Sequence, residues 1–381
     1  MMSSYPYQLE DGRTAFYVDR KRSLWLLSVI YPLFPLLAMA LHQWSGSEWL
    51  LLTPIVLTYG GGPLLDWWLG EDRSNPPEQT VPALENDRYY RLLTWMTVPL
   101  HVLVLILAAV YAATAGLSPL GWVALALVAG LASGLAVNTA HEMGHHRDPI
   151  DQVLSRIALA VPFYGHFTVE HNFGHHRDVA TPEDCASARK GESIYRFALR
   201  EMPGGLRRAW RIESARLARR GHGVWHWSNT ILQSNAVSLV LQGSLVLALG
   251  PFTLLFLLIH NLVAWFQLTS ANYVEHYGLL RRKQADGRYE RCQPHHSWNS
   301  NHIASNLLLF HLQRHSDHHA HPGRRYQSLR HFRELPRLPS GYFGMFVLAY
   351  IPPLWFRVMD PRLLALPHIK GDLSRVNALE S

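Results

Sequence analysis

Histidine dominates the chemistry open to this chain. Of its 23 histidines only His42 and His101 precede residue 141, and ten of the others gather into four motifs that follow or end an apolar stretch. Three motifs are clusters: His141-Glu142-Met143-Gly144-His145-His146, Glu170-His171-Asn172-Phe173-Gly174-His175-His176 and Gln313-Arg314-His315-Ser316-Asp317-His318-His319. The fourth carries one histidine, in Asn272-Tyr273-Val274-Glu275-His276-Tyr277-Gly278. Residues i and i+4 of a helix stand about 5–6 Å apart on one face, so His141 with His145 can grip one ion. The same rule pairs His171 with His175, and His315 with His318 and His319. Adjacent helical residues point about 100° apart, so His175-His176 suits two neighbouring metals. Neutral imidazole accepts iron, zinc, copper or nickel, and the reaction rather than the ligand must choose among them.

His141-Glu142-x-x-His145 also matches the zinc-protease pattern, in which the glutamate is the general base. A protease site would not need two further H-x-(2,3)-H-H clusters. Glu142, Glu170, Asp178, Glu275 and Asp317 lie among the histidines. Metal-bound imidazoles usually donate their other N–H to a carboxylate or carbonyl, and these five are assigned that role, with plain surface solvation as the alternative. His166, His222, His226, His295, His296, His302, His311 and His321 lack paired spacing and are expected at the interface or in structural roles. His146 adjoins His145 but could simply face water.

Something must hold these clusters in one plane. Six windows have the length and apolarity of a membrane span, which takes roughly 20 residues: about 24–43, 48–69, 93–115, 119–140, 232–249 and 252–274. The connections 42–47, 115–118 and 248–251 are short and nearly free of charge, whereas the N-terminus, 70–92, 141–231 and 277–340 are rich in charged residues. That alternation predicts an all-α integral membrane protein, 1–381 as one membrane domain, a six-helix transmembrane bundle with both termini on one side. The basic loops put that side in the cytoplasm of a bacterial inner membrane. The histidine-bearing segments 141–231 and 275–340 then form a cytoplasmic cap. The segment 153–165 is too short to span and reads as re-entrant or interfacial; 341–356 contains Pro352-Pro353, which breaks a helix, and is placed at the interface.

Composition agrees. Hydrophobic residues make up 48% of the chain and charged ones 17%, against about 25% charged in soluble proteins. Cys185 and Cys292 are the only cysteines and cannot make a metal quartet. The formal charge of +7 comes without any nucleic-acid-binding pattern, so no nucleic acid partner is expected. No cleavable signal peptide is evident, and the first apolar run would serve as an uncleaved anchor. No internal repeat stands out.

The motifs resemble those of the membrane fatty-acid desaturase and hydroxylase superfamily, with H-x-(3,4)-H and two H-x-(2,3)-H-H boxes. Within it the chain is similar to the bacterial alkane 1-monooxygenases over about residues 20–360. The strings that carry the likeness are His141-Glu142-Met143-Gly144-His145, the run from Glu170 to Asp178, Leu312 to Ala320, and Asn272 to Leu279. The last separates alkane hydroxylases from general desaturases. The resemblance implies nine ligands, His141, His145, His171, His175, His176, His276, His315, His318 and His319, holding two non-haem irons. It implies O2 as co-substrate, an n-alkane substrate drawn from membrane lipid, and electrons from rubredoxin with an NAD(P)H-dependent reductase. No rubredoxin cysteines occur here, so the donor is expected on another protein or domain.

The expected reaction joins an alkane, O2, two electrons and two protons to give a primary alcohol and water. No side chain can break an unactivated methyl C–H bond, so metal must carry that step. A desaturase of the same architecture is the nearest rival. A histidine-rich metal transporter would instead place ionisable groups at the bilayer midplane, where only His101 and His260 qualify. Two further expectations concern access. Thr58, in Thr58-Tyr59-Gly60-Gly61-Gly62, is read as lining the substrate channel, where resembling enzymes gate chain length. The arginines of 199–220 are read as steering an acidic electron carrier.

Overall fold

Leucine-rich runs closed by capping residues make long helices here, and proline or glycine decides where they bend. The computed structural model describes residues 4–379. It opens with an antiparallel hairpin that the sequence reading lacked, β1 (Ser4–Gln8) and β2 (Thr14–Val18). Helical elements follow: α1 (Leu26–Ser45), α2 (48–69), α3 (Arg88–Thr114), α4 (Pro119–Gly144), α5 (Pro149–Ala160), α6 (167–178), α7 (Ile194–Ala218), α8 (Thr230–Leu249), α9 (Phe252–His276), α10 (Ile303–Leu308), α11 (His315–Ala320), α12 (Tyr342–Ala349) and α13 (Pro352–Leu364).

Among the described residues α1, α3, α4, α8 and α9 are long and apolar enough to cross a membrane, and α12 with α13 would make a sixth only as a pair bent by 119°. The bend falls at Pro352-Pro353, as expected of a proline pair. The window expected as the second span is helical but irregular, and is not among these five: α2 passes from 3-10 turns through α and π turns and back to α. Pro54, Pro63 and three consecutive glycines prevent one regular helix. Trp44 and Trp49 at one end of this region and Trp67 and Trp68 at the other are all strongly exposed, the arrangement of two aromatic belts. The protein is therefore a helical membrane protein.

Capping residues fix several starts. Asp87, Ser118, Asp148, Ser193 and Asn229 each accept a backbone N–H of the helix they precede, worth about 1 kcal/mol apiece. α4 is the central helix. Its Gly130 and Gly134 let α9 approach so closely that an added Cβ would lie 2.6 Å from the His260 carbonyl oxygen and 2.6 Å from Gln267 Cβ. Small residues spaced by four are the usual means of close helix contact in a membrane. The C-terminal ends of α4 and α9 thereby meet at one end of the bundle. The charged segments gather there too, through Arg91 with Asp148, Arg325 with Asp151 and Arg314 with the Asp72 carbonyl.

The segment expected to be re-entrant or interfacial becomes the twelve-residue helix α5 and a tight turn at Phe163, whose φ is 54°. α7 is 25 residues long but too polar to span.

Candidate metal centre

Four elements bring the histidines together. His141 and His145 close α4, His276 closes α9, α6 carries His171, His175 and His176, and α11 carries His315, His318 and His319. The turn before α11 is strained, with Phe310 and His311 at φ 51° and 52°. His311 Nδ1 lies 2.9 Å from the Tyr326 carbonyl oxygen and its ring meets Trp25 edge-on, which holds the turn that aims α11.

All nine expected ligands converge, in two groups. His141, His145, His171, His176 and His318 form one, and His175, His276, His315 and His319 the other, with the ligand atoms of each group within 4.8 Å of one another. The pairing within α6 differs from the i, i+4 expectation. Residues 171–175 form a π-turn, in which the matching position is i+5. His171 therefore faces His176, with Nε2 atoms 3.0 Å apart, and His175 turns to the second group. The adjacent pair His175-His176 does reach two sites, as its divergence predicted. On α11, His315 and His319 serve the second group while His318 crosses to the first.

The spacing fits metal. In the first group His141 Nε2 is 2.9 Å from His318 Nε2, which is 3.2 Å from His176 Nε2. In the second, His315 Nε2 is 3.1 Å from His276 Nε2 and 2.9 Å from His319 Nε2. Nitrogens about 2.1 Å from a common ion and at right angles are about 3.0 Å apart. Two inward nitrogens, His145 Nε2 and His175 Nε2, are buried with no hydrogen-bond partner, a costly state for a polar atom that has no ligand. Burial first, and then mutual proximity, hold the imidazoles of His171, His176, His315, His318 and His319 well below their ordinary range. They are thus neutral at pH 7, the form that binds metal.

Of the five carboxylates assigned to support the ligands, one touches an imidazole. Glu275 Oε2 lies 3.3 Å from His315 Nε2, on the ion-facing side, while Tyr342 donates to its Oε1 at 2.8 Å. The others bond elsewhere. Glu142 accepts the Tyr326 N–H, Glu170 lies 3.5 Å from Arg208, Asp178 pairs with Arg177 and Arg208, and Asp317 takes Arg324 and the Arg330 N–H. Two supports were missed. His175 Nδ1 donates to Asp184 Oδ2 at 2.9 Å, and His276 Nδ1 faces the His296 carbonyl oxygen at 3.3 Å. Ser187 donates to the same Asp184 oxygen, and Arg208 holds the other one. Nothing in spacing singles out Asp184 from Glu183 beside it. His146 stands outside both groups, 3.2 Å from Asp151.

A slender apolar cavity of about 60 Å³ leads to the groups. His141, His171, His315 and Glu275 line one end, and Tyr31, Leu131, Gly134, Gln267, Phe343 and Phe346 are among those lining the rest. Thr58 is buried one layer behind this wall: its Oγ1 is 2.8 Å from the Tyr31 hydroxyl. Of the arginines in 199–220, Arg200, Arg208 and Arg216 are engaged by Glu192, Asp184 and Glu213, leaving Arg207, Arg211, Arg219 and Arg220 exposed.

The fatty acid desaturase family matches residues 117–349. Alkane 1-monooxygenase 1 of Alcanivorax borkumensis is 54% identical over 96% of this chain and 90% of that protein. Alkane 1-monooxygenase of Ectopseudomonas oleovorans is 53% identical over 96% and 90%. The xylene/toluene monooxygenase hydroxylase component XylM of Pseudomonas putida is 31% identical over 58% of this chain and 59% of that protein.

Proposed function

The chain belongs to the alkane 1-monooxygenases of the fatty acid desaturase family, and from that membership we propose that it hydroxylates the terminal carbon of medium- to long-chain n-alkanes. One observation carries the reading: two groups of buried or half-buried imidazoles, nine in all, stand at the end of a narrow apolar cavity. The stoichiometry is alkane, O2, two electrons and two protons to primary alcohol and water.

The nine histidines would hold two iron ions, five ligands to one and four to the other. Bound iron supplies the oxygen activation and C–H cleavage that side chains cannot. The chain's own residues do the rest. Asp184 and the His296 carbonyl fix the rings of His175 and His276, so both Nε2 atoms point inward. Leu131, Leu135, Leu268, Ala271 and Phe346 exclude water and leave an alkyl chain one direction in which to lie. Glu275, oriented by Tyr342, is the one carboxyl among the cavity-lining residues and can hold or accept a proton beside the reacting carbon.

Electrons would come from rubredoxin and an NAD(P)H-dependent reductase, docking at the histidine-bearing end. His145 and His176 are the partly exposed members of the first group, flanked by exposed Arg147 and Arg177. The proposed setting is a bacterial inner membrane with both termini cytoplasmic, which the basic loops favour.

Aerobic incubation with octane, rubredoxin, its reductase and NADH tests this reading. 1-Octanol as the product supports it, and an alkene or no product ends it.

A further inference from the structure

The cavity and the outer face of the bundle share a wall. Along α4 the cavity runs from His141 through Asn138, Leu135 and Gly134 to Leu131, ten residues or about 15 Å of helix. At this deep end it is lined by Gln267 of α9 and by Phe346 of α12. One residue earlier on α9, Phe266 lines a different space. This is an apolar groove of about 480 Å³ between α7 and α9, bordered also by Tyr195, Leu199, Met202 and Leu262. Leu199 and Leu262 are exposed and α9 is a candidate span, so the groove faces lipid.

A few neutral hydrogen bonds close the wall between the two spaces. The Tyr59 hydroxyl donates to Gln267 Oε1 at 2.6 Å and lies 3.3 Å from the Tyr350 hydroxyl. Ser270 Oγ is 3.2 Å from that same hydroxyl, and the Tyr350 ring stacks on Phe266 with centroids 5.5 Å apart. Both tyrosines occupy interrupted helix. Tyr59 lies in the π-turn 57–61, and Tyr350 sits at the 119° break between α12 and α13. Such interruptions are where a helix moves most readily.

We propose that Tyr59, Phe266, Gln267 and Tyr350 form a lateral door through which an unbranched apolar chain passes from the bilayer groove into the deep end of the cavity. The identity of that chain as an alkane rests on the hydroxylation reading above. The groove is lined almost wholly by apolar surface, and the bilayer concentrates such molecules, whereas the opposite end of the cavity is closed by the histidine groups and the charged segments. A chain that enters at the deep end cannot reverse in so slender a space. Its leading methyl therefore reaches the histidines first, and attack at the terminal carbon follows from the direction of entry.

The test uses metal-loaded protein in lipid nanodiscs and a dodecane bearing a terminal diazirine, photolysed at increasing times after mixing and mapped by mass spectrometry. Label should reach the groove peptides first and residues 131–138 later. Leu199→Trp with Leu262→Trp fills the groove and should slow cavity labelling at least tenfold, with the same final extent and metal content. Tyr350→Phe unties the door and should speed it several-fold. Leu254→Trp, exposed elsewhere on α9, should change nothing. Cavity labelling at the unaltered rate with the groove filled would place the entrance elsewhere. Label confined to the groove at all times would make it a lipid-chain site only. Cavity labelling with no alcohol formed would leave the door standing and sink the hydroxylation reading instead.

Discussion

His175 and Asp184 are nine residues apart in sequence, yet Nδ1 of one and Oδ2 of the other are 2.9 Å apart and both side chains are almost wholly buried. Arg208, from the next long helix, binds the second carboxylate oxygen at 3.0 Å and also pairs with Asp178. The imidazole is thus held in one orientation by a chain of charge that begins on α7.

Asp184→Asn should lower metal affinity of the second group about 10- to 100-fold, the usual cost of losing such a support. Iron retained per chain during titration with a chelator measures it. Asp178→Asn, which leaves the His175 contact intact, should have a much smaller effect. Equal losses in the two variants would mean that Asp184 acts only through general stability.

The division into five and four ligands predicts separable losses. Purified protein should hold two irons, and His318→Ala should deplete the first site while His276→Ala depletes the second. Mössbauer spectra of the two variants should each lose a different component, and turnover should vanish in both. His222→Ala, whose ring stacks on His226 away from the centre, should keep both irons and full activity. One zinc and no iron in the wild type would refute the assignment.

Thr58 acts on the cavity through Tyr31, so its substitution should work by displacing that ring. Thr58→Trp should push Tyr31 inward and reduce activity on the longer alkanes while sparing octane. Thr58→Val keeps the shape, removes the hydroxyl and should shift the chain-length profile only slightly. Product yields across a series of alkanes decide the point; a uniform loss at all lengths with iron intact argues against any link between Thr58 and chain length.

Salt dependence should report the free arginines alone. Neutralising Arg207 and Arg211 should slow reduction by an acidic electron carrier and flatten the fall in rate as ionic strength rises. Arg208→Gln should behave differently. It takes from buried Asp184 its one guanidinium partner, leaving His175 and Ser187, and removing one member of a buried ion pair costs about 3–5 kcal/mol. Thermal melting in detergent separates the two effects, and unchanged salt dependence in the Arg207 and Arg211 variant would exclude steering by this helix.

Burial raises the Glu201 carboxyl from its ordinary 4.5 to about 7, although Thr269 and Asn272 donate to it. An acid whose folded value lies above its unfolded one favours the folded state while protonated. Its contribution is therefore whole below about pH 4.5 and is lost as pH rises toward 7, on the order of 3 kcal/mol at about 1.4 kcal/mol per unit. Melting temperature should fall across that window, and Glu201→Gln should remove this part of the slope. A variant with the wild-type slope would assign the titration to another group.

The sequence by itself determined which histidines stand in motifs at the ends of apolar runs, and five of its six apolar windows fold as helices long and apolar enough to span. Histidine motifs at the ends of apolar runs need no tertiary information to be recognised, because run length and residue spacing are local properties; which nine of those histidines to count as ligands was what the family resemblance implied. Only the folded chain decided which histidine serves which group. That depends on a π-turn at 171–175 and on how α4, α6, α9 and α11 pack, so His171 left His175 for His176, and His318 left its neighbours for α4. It also decided that Asp184 supports a ring while Asp178 and Asp317 bind arginines, and that Glu275 faces the ion side. Carboxylates near a motif in sequence are alike until packing fixes where each side chain points. Thr58 shows the same limit: a helix window tells which residues face inward together, but a single layer of side chains, here Tyr31, separates facing the cavity from touching it.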